Sequence, residues 1–494
     1  MASSSIPAPM IAYTDRRVHD DSTPQDSSYS LSKLSEITRV ISSSKEAFAR
    51  TGVSVTEAQE EVVADDPEFK LPSKSSLFVV IGGNAIFQLS FFIIVSSASF
   101  YAEHLGGSAT FSGLTIGIPT VFSGITLIFV TRKDGGQYKM PFQLAYASML
   151  VGNVLYALAY RADFLYLILI GRMITGLGFI SFMYSKRYCT DPRIVGVRRR
   201  TTLAGWLVIG QAFGFSAGPF FGGLLFKVGF SNPIFNGATS PGWIMAAIWG
   251  MFWILSNYIF QDVPARTETP SSIELTSPDS PRQQSPPSSP VETSPSFRSL
   301  TSAQWGVVIC MCYYSMTCFF ILGSWESNIP VFTASALNYS PYNAGNFIAL
   351  GGLCSFPFLL LNVWYARRLQ DRTILAIGNT FGLAGLLIML AILQTDRVTP
   401  GSLFVCWFLI ALGFNLASTC TLSLLSKQLP DNWNRKSSMV IQYSNYTGRV
   451  TGAILGGAGV KIGMINYAGI HLAVVGLGIV MYLTLWRQLK AKTG

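Results

Sequence analysis

Twelve stretches of about twenty mostly apolar residues run through this chain, and they limit what it can fold into more than any other feature. Each is long enough to cross the hydrocarbon core of a bilayer as a helix. They cover residues 77–99, 111–130, 141–160, 164–184, 202–224 and 243–260, then 304–325, 342–364, 373–393, 402–425, 438–460 and 465–486. They lack the strict alternation of a barrel strand, and a helix satisfies its own backbone groups inside lipid. The expected class is therefore an all-α polytopic membrane protein with 12 transmembrane helices. Composition agrees, with 50% hydrophobic and only 12% charged residues.

A net charge of +10 suggests a nucleic-acid partner only until the charges are located. Arg132, Lys133, Lys139, Lys186, Arg187, Arg193, Arg198, Arg199 and Arg200 follow the second and fourth spans. Arg367, Arg368, Arg372, Lys427, Arg435 and Lys436 follow the eighth and tenth. The opposite loops hold Arg161, Lys227, Arg397 and Lys461. That asymmetry places the richer loops, and with them both termini, in the cytosol. The basic balance reports topology, and no nucleic acid is expected. Six of the seven cysteines fall in spans and Cys189 in a cytosolic loop, none set for a lumenal disulfide. No spacing suggests a metal or cofactor, and no cleavable leader is visible before Leu77.

Two polar tracts divide the chain. Residues 1–73 read as a disordered cytosolic tail, and 261–301 as a cytosolic linker stiffened by Ser-Pro pairs at Ser277, Ser280, Ser285, Ser289 and Ser294. Between them lie a six-helix bundle over 74–260 and a second over 302–488, with a short cytosolic tail at 489–494. The halves echo each other. Gly214, Gly218, Pro219, Gly222 and Gly223 in the fifth span are matched by Gly448, Gly452, Ala453, Gly456 and Gly457 in the eleventh. Glycines one turn apart let helices approach closely, and Pro219 removes a backbone bond. The hairpin from Ser185-Lys186-Arg187 to Arg199-Arg200-Thr201-Thr202 returns as Ser426-Lys427-Gln428 to Arg435-Lys436-Ser437-Ser438. Two related halves in parallel relation are the architecture of secondary transporters.

Several motifs sharpen this. Gly214–Gly223 resembles the fifth-helix antiporter motif of the major facilitator superfamily, and Gly171-Arg172-Met-Ile-Thr175-Gly176-Leu-Gly178 its fourth-helix motif, with Thr175 where the family carries Gln. Residues 130–139 are only loosely similar to its cytosolic gating loop. Tyr156-Ala-Leu-Ala-Tyr160, Arg187-Tyr188 with Asp191, the Phe235–Trp243 stretch and Trp325-Glu326-Ser-Asn-Ile-Pro330 look like one branch of that superfamily. The branch holds the SPX-MFS vacuolar phosphate transporters and the lysosomal member altered in ceroid lipofuscinosis. The tail before the first span is too short and polar for an SPX domain. The resemblance implies the two-bundle fold, a fifth helix packed tightly on the other half, and export or sequestration rather than uptake.

Few ionisable residues remain for handling a solute. Arg172, Glu326, Arg449 and His471 lie in or at the edges of spans. An arginine deep in an apolar run is costly and aims at a cavity or a carboxylate. Glu326 reads as lying just beyond the seventh span; it is the best carboxylate for proton coupling, with a solvated loop acid as the alternative. Arg449 stands where the first repeat has Phe215, an asymmetry that points to substrate or ion handling. His471 reads as interfacial. Gln88, Asn415 and Tyr443 are further pathway candidates, and Asn338 is the one N-glycosylation triplet on an expected lumenal loop.

These readings point to a non-enzymatic secondary transporter working as a monomer, rocking its halves around a central site. The expected solute is a small anionic or zwitterionic metabolite, because two inward arginines favour one. Phosphate or another inorganic anion, and an anion channel on the same fold, stand as alternatives, and proton coupling stays open. Cation efflux is disfavoured for want of a mid-membrane carboxylate. The expected setting is a vacuolar, lysosomal or plasma membrane.

Overall fold

A computed structural model describes residues 69–132, 136–191, 193–263, 300–365, 369–429 and 434–490. The amino-terminal tail, most of the Ser-Pro linker and the gating-loop residues 133–135 lie outside that set. The described residues form fourteen helices. They are α1 (Lys74–Phe92), α2 (Ala98–His104), α3 (Ala109–Arg132), α4 (Lys139–Ala162), α5 (Leu165–Gly178), α6 (Ser181–Thr190), α7 (Val197–Val228) and α8 (Ser240–Ile259). After the linker come α9 (Ser302–Leu337), α10 (Pro341–Tyr365), α11 (Asp371–Gln394), α12 (Pro400–Gln428), α13 (Asn434–Ile462) and α14 (Met464–Thr484). No strand occurs among them, and the fold is an all-α polytopic membrane protein.

The helices follow the apolar runs with four informative departures. The first span ends as α1 at Phe92 and passes through tight turns, Val95 N–H to Phe92 O and Ser97 N–H to Ile94 O, before α2. The fourth span breaks into α5 and α6, and α6 carries Lys186, Arg187 and the buried Cys189 that the loop reading had placed outside it. The seventh span, α9, runs 36 residues from a Thr301–Gln304 capping box to Asn338 in the left-handed conformation. The polar Glu-Ser-Asn-Ile-Pro sequence only looks like an ending, because its polar groups are met inside the protein. Finally, among the described residues 11 helices are long and apolar enough to cross a membrane by length and composition, and α13 is not among them. It is long enough, but its polar residues are spent on neighbouring helices instead of lipid.

Two apolar cores form. One gathers side chains between Val79 and Val263 around Trp249, Phe87 and Tyr146. The other is built largely from residues after Leu300, around Trp325 and Trp407, and also takes in Phe91, Phe92 and Val95 from the first part of the chain. The two regions meet along α3 with α13 and along α7 with α10.

The basic loops are tied down by short-range charge. Asp191, after α6, accepts from the Tyr138 hydroxyl at 2.7 Å and forms an ion pair with Arg193 at 2.6 Å. Asp262 accepts from the backbone N–H of Tyr138 and Lys139 at 2.9 Å each, covering the open donors at the start of α4. In the second part Asp371, in the first turn of α11, takes Lys427 at 2.9 Å and Ser423 at 2.6 Å.

Candidate functional site

Glycine decides the spacing of the central helices. A Cβ on Gly222 would lie 1.8 Å from the Ile93 carbonyl oxygen and 2.9 Å from Ser96 Oγ. On Gly456 it would lie 2.1 Å from both the Ser324 carbonyl oxygen and Ser327 Oγ. The backbones of α7 and α1, and of α13 and α9, therefore touch. Gly214 and Gly218 meet Gln88 and Phe92 of α1; Gly448 and Gly452 meet Met316 and Phe320 of α9. The fifth-span motif thus serves two neighbours at once. The Gly214, Gly218 and Gly222 face packs within its own half, while Phe215, Ser216, Pro219 and Gly223 reach across, to Gly352, Gly345 and Tyr342 of α10. Gly457 crosses likewise to Ala109 of α3. The cause is the helical repeat: residues at every fourth position share one face, and the remaining positions point elsewhere.

The matched glycine contacts also set the two repeats in register. Gly222 against Ser96 corresponds to Gly456 against Ser327. Phe215, seven residues before Gly222, then corresponds to Arg449, seven before Gly456. Val95, next to Ser96, corresponds to Glu326, next to Ser327. An apolar pair in one repeat is thus an ion pair in the other. Arg449 donates through a guanidinium nitrogen to Glu326 Oε2. Glu326 is only 1% exposed and lies inside α9, not in the loop where its sequence setting had put it. A buried carboxylate therefore does exist within the spans. The expectation that cations are disfavoured for lack of one falls, although this carboxylate is already engaged by Arg449.

Arg172 completes the cluster. It is 1% exposed, at the middle of α5, and its Nε donates to the Thr115 carbonyl at 3.1 Å. That acceptor is open because Pro119, four residues on, has no N–H to offer it. Arg172 Nη2 finds no acceptor among the described residues. Its guanidinium sits 5.4 Å from the centre of the Phe91 ring, and that of Arg449 sits 5.0 Å from the same ring and 5.2 Å from Phe92. Both cations thus lie at the same aromatic ring, whose cation–π attraction compensates partly for lost water. Pro330 likewise removes the helix bond to the Glu326 carbonyl.

The other candidates scatter. Gln88 is half-buried with its Cβ against Gly214. Asn415 donates to the Ala411 carbonyl of its own helix at 2.7 Å. Tyr443 donates to the Gly124 carbonyl of α3 at 3.1 Å, joining the two parts. His471, expected at the membrane interface, is fully buried two turns inside α14, with Nδ1 2.7 Å from the Tyr467 carbonyl and Phe320 beside it. Asn338 is exposed at the end of α9. Phe91 and the Thr115 carbonyl were not singled out by sequence reading. A proline four residues downstream was a usable signal for the carbonyl; Phe91 had none, being one apolar residue in an apolar run. No group of three or more metal-ligating side chains occurs among the described residues.

A bundle of apolar helices that brings Arg172, Glu326 and Arg449 together around Phe91, inside its spans, is the design of a membrane transporter. The chain belongs to the Major Facilitator Superfamily, whose profile matches residues 80–453. It is 30% identical to an uncharacterised MFS-type transporter of Schizosaccharomyces pombe, over 87% of this chain and 85% of that protein. An SPX domain-containing membrane protein of Arabidopsis thaliana is 32% identical over 37% of this chain and 26% of its own length. Among solved structures, a D-xylose–proton symporter superposes with a TM-score of 0.61 at 15% identity, covering 85% of this chain and 99% of the symporter.

Proposed function

We propose that this transporter carries a small anionic or zwitterionic metabolite by alternating access, with the carboxylate or other oxyanion received between Arg172 and Arg449 across Phe91. The observation that carries this reading is the charge surplus of the cluster. Two guanidinium groups lie at one carboxylate's end of the cluster: Arg449 takes Glu326, while buried Arg172 bonds the Thr115 carbonyl and keeps a donor with no acceptor among the described residues. A buried unpaired charge is costly, and an incoming anion would relieve that cost. Arginine's planar fork suits a carboxylate or phosphate bidentately.

Glu326 is the coupling group in this reading. An anion that takes over Arg449 leaves Glu326 without its partner, and a buried carboxylate without a partner takes up a proton. Substrate and proton thereby occupy the cluster together, the elementary requirement for coupling. Movement is a rocking of one half against the other about the α3–α13 and α7–α10 seams. Backbone meets backbone along those seams at Gly457 and Ala109, at Gly113 and Ala453, and at Gly345 and Pro219, toward the ends farther from the basic loops. With the basic loops cytosolic, as the charge bias suggests, the cluster in this reading loads from the cytosol when the seams part at that end. Export or sequestration is the direction proposed, with solute and proton leaving the cytosol together down the solute's own gradient.

The test uses purified protein in liposomes with a pH gradient and a panel of labelled carboxylates, amino acids, phosphate and sugars. Accumulation of at least one oxyanion, abolished by Arg172→Gln and weakened by Arg172→Lys, is expected. Glu326→Gln should stop gradient-driven accumulation yet leave exchange of labelled for unlabelled solute running. Oxyanion transport undiminished in Arg172→Gln would overturn the substrate site. Undiminished accumulation in Glu326→Gln would overturn the coupling role. Phosphate accumulating in preference to every organic anion would favour the inorganic-anion reading.

A further inference from the structure

A cavity of about 270 Å³ lies away from the charge cluster, between the first turns of α1 and α7, lined by Leu71, Leu77, Ile81, Leu203, Trp206 and Arg199. Apart from Arg199 and Thr202 its walls are apolar. One of its lining residues, Trp206, is 52% exposed. Trp at the end of a span marks the headgroup level, where an amphipathic ring is satisfied on both sides.

The mouth is cationic. Arg199 stacks 5.4 Å over Phe69, and its Nε has no acceptor among the described residues. The bond from Gly196 N–H to the Lys70 carbonyl, 2.9 Å, brings the segment before α7 beside the segment before α1. Exposed Lys70, which donates to the Arg193 carbonyl at 3.0 Å, and exposed Lys74 therefore share this end with Arg199. The two nearby described acids are committed elsewhere: Asp191 to Arg193 and Tyr138, Asp262 to the start of α4.

We propose that this groove seats one anionic phospholipid, an acyl chain along Leu77, Ile81, Leu203 and Trp206 and the phosphate on Arg199. The apolar walls need a chain, and the mouth needs negative charge without a compensating cation, so phosphatidylglycerol fits and phosphatidylcholine fits poorly. Basic pockets between spans are the usual receivers of such headgroups. The proposal is independent of the solute reading above.

The experiment measures thermal unfolding of the full-length protein in detergent, with phosphatidylglycerol, with phosphatidylcholine of the same chains, or with glycerol phosphate. Co-purifying lipid is identified by mass spectrometry. Phosphatidylglycerol is expected to raise the midpoint by several degrees more than phosphatidylcholine and to be enriched in the purified protein, while chainless glycerol phosphate does nothing. Arg199→Gln should lose the phosphatidylglycerol-specific rise, Arg199→Lys should keep part of it, and Leu203→Trp, filling the groove, should lose it too. Exposed Arg397→Gln at the opposite end should leave it intact. Equal effects of the two lipids on wild type, a full effect in Arg199→Gln, or an effect of glycerol phosphate alone would overturn the proposal. The unfolding midpoint without added lipid shows whether a variant has merely misfolded.

Discussion

Glu326 and Arg449 cannot be changed separately without consequence. Removing Arg449 strands a carboxylate that is 1% exposed, and breaking a buried pair from one side costs about 3–5 kcal/mol. Arg449→Ala is therefore expected to melt well below wild type in detergent, while Glu326→Gln with Arg449→Gln together recover most of the loss. If the double variant melts no higher than Arg449→Ala, the pair is not what the arginine stabilises. Asp191 makes a different test because it lies outside the spans. Its burial pushes its pKa up, but hydrogen bonds from Arg193 and Tyr138 outweigh that and hold it down at about 2. A depressed carboxylate stabilises the fold above its unfolded value of about 3.9 and loses that contribution as pH falls through the folded one. The stability gap between wild type and Asp191→Asn should hold constant from about pH 8 to 5 and close below about pH 4. A gap that changes between pH 8 and 5 would show that another group governs it.

At the scale of helices, the two glycine faces act as contacts, not hinges. Gly222→Ala must push Ile93 away, and Gly456→Ala must do the same to Ser324, since each added Cβ would overlap a carbonyl oxygen. Gly205 in α7 and Gly469 in α14 have nothing within 4 Å of such a Cβ. Alanine there gains about 0.5–1 kcal/mol of helix stability with no clash. Transport and midpoint should fall for Gly222→Ala and Gly456→Ala and hold or rise for Gly205→Ala and Gly469→Ala. Equal tolerance at all four would mean the close approach of α7 to α1 is dispensable.

For the molecule as a whole, rocking requires the seams to part. Lys227 of α7 lies with its ammonium 4.4 Å from the Tyr342 ring of α10, at the closed end of the seam. Cysteines at 227 and 342, in a background lacking the seven native ones, should be bridged readily by a short bifunctional reagent. The bridged protein should bind solute but not move it, and a cleavable bridge should restore movement. Full transport with the bridge in place would rule out opening along this seam.

Length and hydrophobic period determined that the chain folds as membrane-spanning helices, because lipid accepts no backbone that does not bond itself. The glycine echo likewise announced two related parts, since close packing leaves the same small residue at each fourth position. Arg172 was legible as a costly buried cation. What only the tertiary structure decided was who meets whom. Glu326 looked like a loop acid because polar residues and Pro330 surround it, and its place inside α9 depends on Arg449, which stands more than a hundred residues away. The glycine motif could not say which neighbour it faced, because spacing specifies a helix face but not the helix opposite. Phe91 was invisible for the same reason. Its value lies in two arginines that reach it from α5 and α13, and no local pattern records a contact made by three separate helices.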